Sequence, residues 1–293
     1  MGADKRYFLP YGILNFTRFL LKLIPLQNGK GKIIDKTFLR NVKFREKTLH
    51  VPTLYGARME VLPNDHVGRH VFFLGTFDRP VFECLRLFAG NTPVLWDIGA
   101  NIGYMSIEFL NLLPNAHVLA IEPLPDIFAI LEQNLRRISA NRALCLNCAV
   151  SDRSGIARMQ RVSDNSGGSF ISIDGDEITT VSGDTLLDMA PAPTVIKIDV
   201  EGHEAQVLQG LQSVLSNPAL RAVVFEHHTQ TTMAEDVRKP LHDAGFKIFR
   251  IWKNAFTWAL CDAERQNGRA GYYPTADFAA VRNPAVPGIK VLR

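Results

Sequence analysis

Cysteine is scarce: Cys84, Cys145, Cys148 and Cys261 are the only four in 293 residues. That is too few for a disulfide framework and fits a reducing, cytoplasmic setting. A charge of one sign is missing as well. Lys and Arg exceed Asp and Glu by 33 to 29, an excess too small and too scattered to mark a nucleic-acid surface, so none is expected and the total selects no partner. Nor is there an uninterrupted apolar run of the roughly 18 residues needed to cross a bilayer. The apolar stretch Tyr7–Leu26, which follows the basic pair Lys5 and Arg6, is broken by Arg18 and Lys22. No small-residue cleavage site comes after it, so a signal peptide is not expected either.

What remains is an ordinary globular composition, 46% apolar and 21% charged, which rules out a disordered, collagen-like or coiled-coil chain. The length suits one main core with an extension, divided here as residues 1–90 and 91–293. In residues 7–26, Phe16, Phe19, Leu20 and Leu23 share one helical face with Arg18 and Lys22 away from it. Docking on the main body is the expected use of that face, and peripheral contact with a membrane surface is the other. Cys145 and Cys148 form a CxxC without two further ligands at metal spacing. Their setting reads as a buried strand, and packing is the expected role.

Beyond Asn91, short apolar runs alternate with helical patterns and end in Gly, Pro, Asn or Asp, as in an α/β sheet. The expected strands are Pro93–Ile98, His117–Ile121, Ala143–Val150, Thr194–Val200, Ala222–Glu226, Lys247–Trp252 and Phe256–Cys261. Helices are expected over Tyr104–Leu113, Asp126–Ser139, Glu204–Leu215 and Met233–Ala244, the last stopped by Gly245. Ser163–Ser169, rich in Ser, Gly and Asn, reads as a mobile loop. Residues 1–90 show no such rhythm.

Three segments carry chemistry. In Val94-Leu-Trp-Asp-Ile-Gly-Ala-Asn-Ile-Gly-Tyr104 a strand runs into a glycine turn and then a helix. Gly99 and Gly103 let backbone and ligand approach closely, and the helix N-terminus offers free NH groups. The spacing is GxxxG, neither the GxGxxG of a dinucleotide site nor a P-loop, and Asp97 ahead of the turn suits a cationic ammonium better than a polyphosphate. Glu122, in Ile121-Glu-Pro123 at the tip of the next strand, stands where a carboxylate accepts ribose hydroxyls. In Val195-Ile-Lys-Ile-Asp-Val-Glu-Gly-His-Glu204, alternation by two puts Lys197, Asp199 and Glu201 on one side of a strand. Charges so placed must be paired, bound to ligand or at an open cleft, and a structural Lys197–Asp199 ion pair is the competing account.

These segments, with Ala149-Val-Ser-Asp152 and Val224-Phe-Glu-His227, resemble the FkbM-type S-adenosylmethionine-dependent methyltransferases over about residues 93–246. The resemblance implies a class I methyltransferase fold, Rossmann-like, with a seven-stranded mostly parallel sheet whose last strand is antiparallel. It implies that Asp97, Gly99, Asn101 and Gly103 hold the methionine end of S-adenosylmethionine, that Glu122 holds its ribose, that Ala149, Val150 and the residues up to Asp152 border the adenine, and that Asp199 lies beneath the sulfonium. Phe73-Leu-Gly-Thr-Phe-Asp78 looks like the aromatic-plus-acid segment such proteins carry before the first motif.

Methyl transfer needs positioning and exclusion of water more than covalent help. For an alcohol acceptor a base is useful as well, and His203, Glu201, Glu226 and His227 are the candidates, with His203 and Glu201 foremost beside Lys197 and Asp199. The expected reaction is O-methylation of a sugar, glycolipid or secondary-metabolite hydroxyl. The competing readings are metal-assisted methylation using Asp199, Glu201, His203, Glu226, His227 and His228, a nicotinamide oxidoreductase, and a binding module without catalysis. No metal ligand is assigned. The acceptor walls are expected to be Ser163–Phe170 and the N-terminal extension, where Phe72, Phe73 and Phe77 either stack on a sugar or pack in the core.

Overall fold

The computed structural model describes residues 7–162, 165–228, 233–263, 275–285 and 290–292. Lys5, Arg6, Ser163 and Asp164 lie outside them, as does the side chain of His228. The chain opens with helices α1 (Tyr11–Leu23) and α2 (Lys30–Lys36) and a hairpin of β1 (Leu49–Pro52) and β2 (Arg58–Val61). Helices α3 (His66–Leu74) and α4 (Arg79–Phe88) follow. Asp65 caps α3 by accepting from the Val67 NH, and Gly75 ends it with φ of 74°. Phe72 and Phe73 are buried, so of the three aromatics weighed for a sugar face only Phe77 borders the cavity described below.

Then the alternation begins: β3 (Val94–Ile98), α5 (Tyr104–Leu112), β4 (His117–Ile121), α6 (Pro125–Ser139) and β5 (Ala143–Leu146). Proline in the first turn of α6, Asp126 beside it and Arg136 and Arg137 in the last turn match helix-end chemistry at both termini. The single strand expected over Ala143–Val150 is in fact two. After β5 the chain leaves the main sheet at Asn147, whose amide donates to the Glu122 and Pro123 carbonyls, and β6 (Ala149–Ser151) starts a second sheet. That sheet is completed by β7 (Gly155–Gln160), β8 (Phe170–Ser172) and β9 (Asp176–Ser182). The cysteines of the CxxC therefore flank a change of sheet. Both thiols are free, pack in apolar surroundings and are pushed up to about 11 by burial.

The main sheet resumes with β10 (Val195–Ile198), then α7 (Glu204–Gly210) and α8 (Gln212–Ser216), which divide the one helix expected there. It ends with β11 (Ala222–His228), α9 (Glu235–Asp243), β12 (Lys247–Lys253), β13 (Trp258–Asp262), β14 (Thr275–Val281) and β15 (Val291–Leu292). The order is β15-β13-β12-β14-β11-β10-β3-β4-β5, nine strands among the described residues rather than seven. From β5 to β11 the pairs are parallel; β14 is antiparallel to both β11 and β12, and β13 is antiparallel to β12. The antiparallel insertion between the fifth and sixth core strands is β14. The segment expected as the last, antiparallel strand, Phe256–Cys261, overlaps β13, which is antiparallel to β12 but lies near the edge of the sheet.

Strand order reverses between β3 and β10, and in such sheets ligands bind beyond the carboxyl ends at that point. Apolar residues on both sides of residue 90 pack in one core cluster, so the N-terminal elements are built onto the sheet. Polar links join them as well, one of them fully buried. Fully buried Asn134 accepts from the Glu60 NH and donates to the Glu60 and Ile102 carbonyls, tying β2 to the turn after β3. Asn134→Ala strands these groups and should lower unfolding stability by roughly 2–4 kcal/mol. Chemical denaturation measures it, and a loss under 0.5 kcal/mol would contradict the link.

Candidate active site

A cavity of about 900 Å³ opens over the carboxyl ends of β3, β4, β10 and β11. Of the residues singled out from sequence, Gly99, Asn101, Glu122, Ala149, Val150, Lys197, Asp199, Glu201 and His203 all line it. Asp97 and Gly103 do not. Asp97 is fully buried behind the turn, where its Oδ2 accepts from Ser106 Oγ at 2.6 Å and its Oδ1 lies 3.6 Å from Lys197 Nζ. Gly103 packs against Leu131, which a Cβ at position 103 would meet at 2.6 Å. Both residues shape the turn from behind.

The turn itself is tightly held. At Gly99, φ is 78° and a Cβ would lie 1.9 Å from the Asp199 carbonyl oxygen, so the loops leaving β3 and β10 cross at a distance only glycine permits. The backbone NH groups of Asn101 and Leu124 donate to the Glu122 carboxylate at 3.0 Å each. Burial nevertheless pushes Glu122 up to about 7. Asp78, Asn101 and Glu201 are the non-glycine residues with positive φ among those described, and all three line the cavity. Backbone strain gathered in this way is a mark of functional sites.

Lys197 and Asp199 do form the ion pair that competed with a ligand role, at 3.0 Å, and Lys197 also donates to the Gly99 carbonyl at 3.2 Å. Burial works against charge on Lys197, but the Asp199 and Asp97 carboxylates outweigh it and hold the ammonium above its ordinary range. The pair still borders the cavity, so it stiffens the site without closing it.

Two base candidates are differently placed than the sequence suggests. His203 Nε2 faces Ser151 Oγ at 3.0 Å, and burial lowers its pKa. His227 lies outside the cavity lining and turns to Glu204, 3.3 Å away, because alternation along β11 sends it to the face opposite Glu226. Of the residues weighed as a metal set, His227 is therefore turned away from Asp199, Glu201 and Glu226, which line the cavity. Among the described residues the three ligating side chains that converge are Asp35, His66 and His70, where α2 meets α3.

Sequence reasoning missed a second charged group. Glu226 and Asp277 are cross-strand partners at the ends of β11 and β14, and Lys253 bridges Asp277 at 2.8 Å and Asp78 at 3.0 Å. All four side chains line the cavity. Burial, then the carboxylates of Asp199, Asp277, Glu201 and Asp78, pushes Glu226 up to about 8. Asp277 is raised as well, by burial and Asp78. The missing signal was β14 itself, which follows a stretch of sequence without βα rhythm.

The loop expected to be mobile is tied down where it is described. Residues 166–168 form one 3-10 turn, the Ser166 NH donates to Asp65 Oδ2 at 2.6 Å, and Asn101 Nδ2 donates to Ser166 Oγ at 2.9 Å. Asn165, Ser166, Gly167 and Ser169 roof the glycine turn and line the cavity.

Residues 97–248 match the Methyltransferase FkbM domain. The chain is 33% identical over 218 residues to the hexuronic acid methyltransferase AglP of Haloferax volcanii, covering 73% of this chain and 87% of that one. The chain belongs to the FkbM methyltransferase family. This methyltransferase is also 31% identical over 193 residues to the 31-O-demethyl-FK506 methyltransferase FkbM of Streptomyces tacrolimicus, covering 53% of this chain and 73% of that one. A solved structure, M. jannaschii TYW2 in complex with AdoMet, aligns with 81% of this chain and 87% of its own at 12% identity and a TM-score of 0.43. As a member of the FkbM family, the protein is an S-adenosylmethionine-dependent methyltransferase. The donor set fits that molecule: a carboxylate at the tip of β4 suits ribose hydroxyls, and Asp199 suits a cationic sulfur.

Proposed function

We propose that this methyltransferase O-methylates a sugar, and that a uronic or other anionic sugar is its acceptor class. The observation that carries the reading is that one cavity holds two differently equipped groups of residues. In one group, Gly99 and Asn101 face the methionine portion of the donor, Glu122 the ribose, and Ala149 and Val150 the adenine, while Asp199 supports the sulfonium. Asp97 and Gly103 position the turn without touching the donor. When bound, S-adenosylmethionine supplies an activated methyl group on a positively charged sulfur.

In the other group, Asp78, Glu226, Lys253 and Asp277 offer hydrogen-bonding partners for a polyhydroxylated acceptor, and Lys32 and Arg250 also line the wall. These cations suit an acidic sugar, in keeping with the H. volcanii relative, a hexuronic acid methyltransferase. Glu226 takes the proton from the acceptor hydroxyl as its oxygen is alkylated, because its pKa near 8 lies close to working pH. His203 keeps Ser151 and the loop after β10 in place. In this division residues 91–293 form the transferase body, and residues 1–90 supply a cap that forms part of the acceptor wall through Asn28, Lys32, His66, Phe77 and Asp78.

The test is transfer of an isotopically labelled methyl group to a panel of uronic and neutral glycosides. Label on an oxygen of the acidic sugars, at a rate at least tenfold above the neutral ones, is expected. Equal transfer to both classes would remove the acidic preference, and label on nitrogen or carbon would remove the O-methylation reading.

A further inference from the structure

Helix α1 is apolar on two sides. Leu14 and Leu21 are buried on the α3 side, where the Arg18 guanidinium lies 4.6 Å from the centre of the Phe72 ring. Phe16, Phe19, Leu20 and Leu23, the face that was expected to dock, point outward instead. They are 60%, 56%, 46% and 63% exposed, and Ile13 beside them is 49% exposed. At 100° per residue these five side chains span an arc of roughly 120°, a continuous stripe rather than scattered apolar residues. Phe8 and Phe38 are exposed nearby in the chain, with Tyr7 edge-on to Phe38. Soluble surfaces rarely carry so many contiguous large apolar groups without a partner.

The charge around this stripe identifies the partner. Residues 1–47 hold eleven of the 33 Lys and Arg and three of the 29 Asp and Glu, leaving 22 against 26 in the other 246. The chain's positive excess is therefore not scattered; it is confined to the segment that carries the stripe, and the rest of the molecule is net negative. Lys22, Lys36, Arg40, Arg45 and Lys47 are exposed there. An apolar helix face set among cations on an otherwise acidic protein suits an anionic bilayer, where the side chains enter the headgroup boundary and the cations meet lipid phosphates. No described helix is long and apolar enough to cross a membrane, so the contact is peripheral.

We propose that α1 lies on the surface of an anionic membrane and turns the mouth of the cavity toward it. The chain leaving α1 is fixed to the cavity wall: the Gln27 NH donates to the Ala255 carbonyl at 2.8 Å, and Asn28 Nδ2 donates to the Asn254 and Thr257 carbonyls. Leu26, Asn28, Gly29 and Lys32 line the cavity, so an acceptor carried on a lipid would reach the site from the membrane side. Surface binding does not depend on the reaction assigned above. Only the lipid-borne acceptor rests on that reading.

The experiment is co-sedimentation of the full chain with vesicles of phosphatidylcholine alone and with 40% phosphatidylglycerol, at low and high salt. Binding to the anionic vesicles is expected, at least tenfold weaker on neutral vesicles and weakened by salt. The triple variant Phe16→Ser, Phe19→Ser, Leu23→Ser should lose at least tenfold in vesicle binding while keeping its circular dichroism and its affinity for S-adenosylhomocysteine, since the three side chains are exposed. Failure of the wild-type chain to bind anionic vesicles would overturn the proposal. So would equal binding by the variant, or a concentration-dependent dimer that the variant abolishes in a chain that ignores vesicles. Loss of donor binding in the wild type would count against the methyltransferase site and leave the vesicle result standing.

Discussion

Replacing Glu226 with Gln should lower kcat by roughly 10²–10⁴-fold, the usual contribution of a positioned general base, while leaving the affinity for S-adenosylhomocysteine within about twofold. Glu226 lines the cavity from the end of β11, opposite Asp277, with burial and four neighbouring carboxylates holding its proton up to about pH 8. A base works in its ionised form, so the wild-type rate should climb as pH rises through that value and level off above it. Gln has no such titration, and the slope should vanish with the activity. A variant that retains most of its kcat, or the same pH slope, would return the role to His203 or Glu201.

The same shifts set a stability trend. Glu122 and Glu226 are raised from an ordinary 4.5 to about 7 and about 8. Folding therefore takes up protons between these values, and the ligand-free protein should lose stability as pH rises from about 4.5 to about 8. Thermal unfolding across that range checks the sign, and Glu122→Gln and Glu226→Gln should each flatten the curve.

The second large effect belongs to Gly99→Ala. Its Cβ would fall 1.9 Å from the Asp199 carbonyl oxygen at a backbone φ of 78°, so the loops after β3 and β10 must separate, moving the proposed donor turn and Asp199 together. Donor affinity should fall at least about 100-fold, the loss expected when several positioned contacts go at once. Gly56→Ala is the control. Its φ is 93° but nothing lies within 4 Å of the added Cβ, so it costs only the strain of a left-handed residue, roughly 1 kcal/mol, and should leave donor binding unchanged. Calorimetry on both variants reads the difference; equal behaviour would mean that the crossing of the loops does not matter.

The parallel half of the sheet was legible because buried strands and capped helices leave strong local patterns. His117–Ile121 matches its expected limits at both ends, and Tyr104 and Ser139 mark helix ends as expected. The glycine turn after β3 was legible for the same reason: its glycines and acids sit close together in sequence. What escaped was long-range. Nothing local distinguishes β14 from an edge strand, and its place between β11 and β12 follows from pairing alone, so the Glu226, Asp277, Lys253 and Asp78 group was invisible although each residue is plain in the sequence. The break at Asn147 was hidden by apolar residues on both sides that serve two different sheets. The outward face of α1 was misassigned because periodicity finds a face but not what covers it; Arg18, read as lying away from the docking face, lies over Phe72 on the docked side.

The central claim is that the turn after β3 and the carboxylate at the tip of β4 grip one adenosyl ligand. Isothermal titration of the wild type and Glu122→Ala with S-adenosylhomocysteine, and of the wild type with NAD, tests it most directly. One site per chain for S-adenosylhomocysteine, an affinity at least tenfold weaker in Glu122→Ala, and no heat from NAD are the predicted results. Binding of NAD in place of S-adenosylhomocysteine, or equal affinity in the wild type and the variant, would contradict the account.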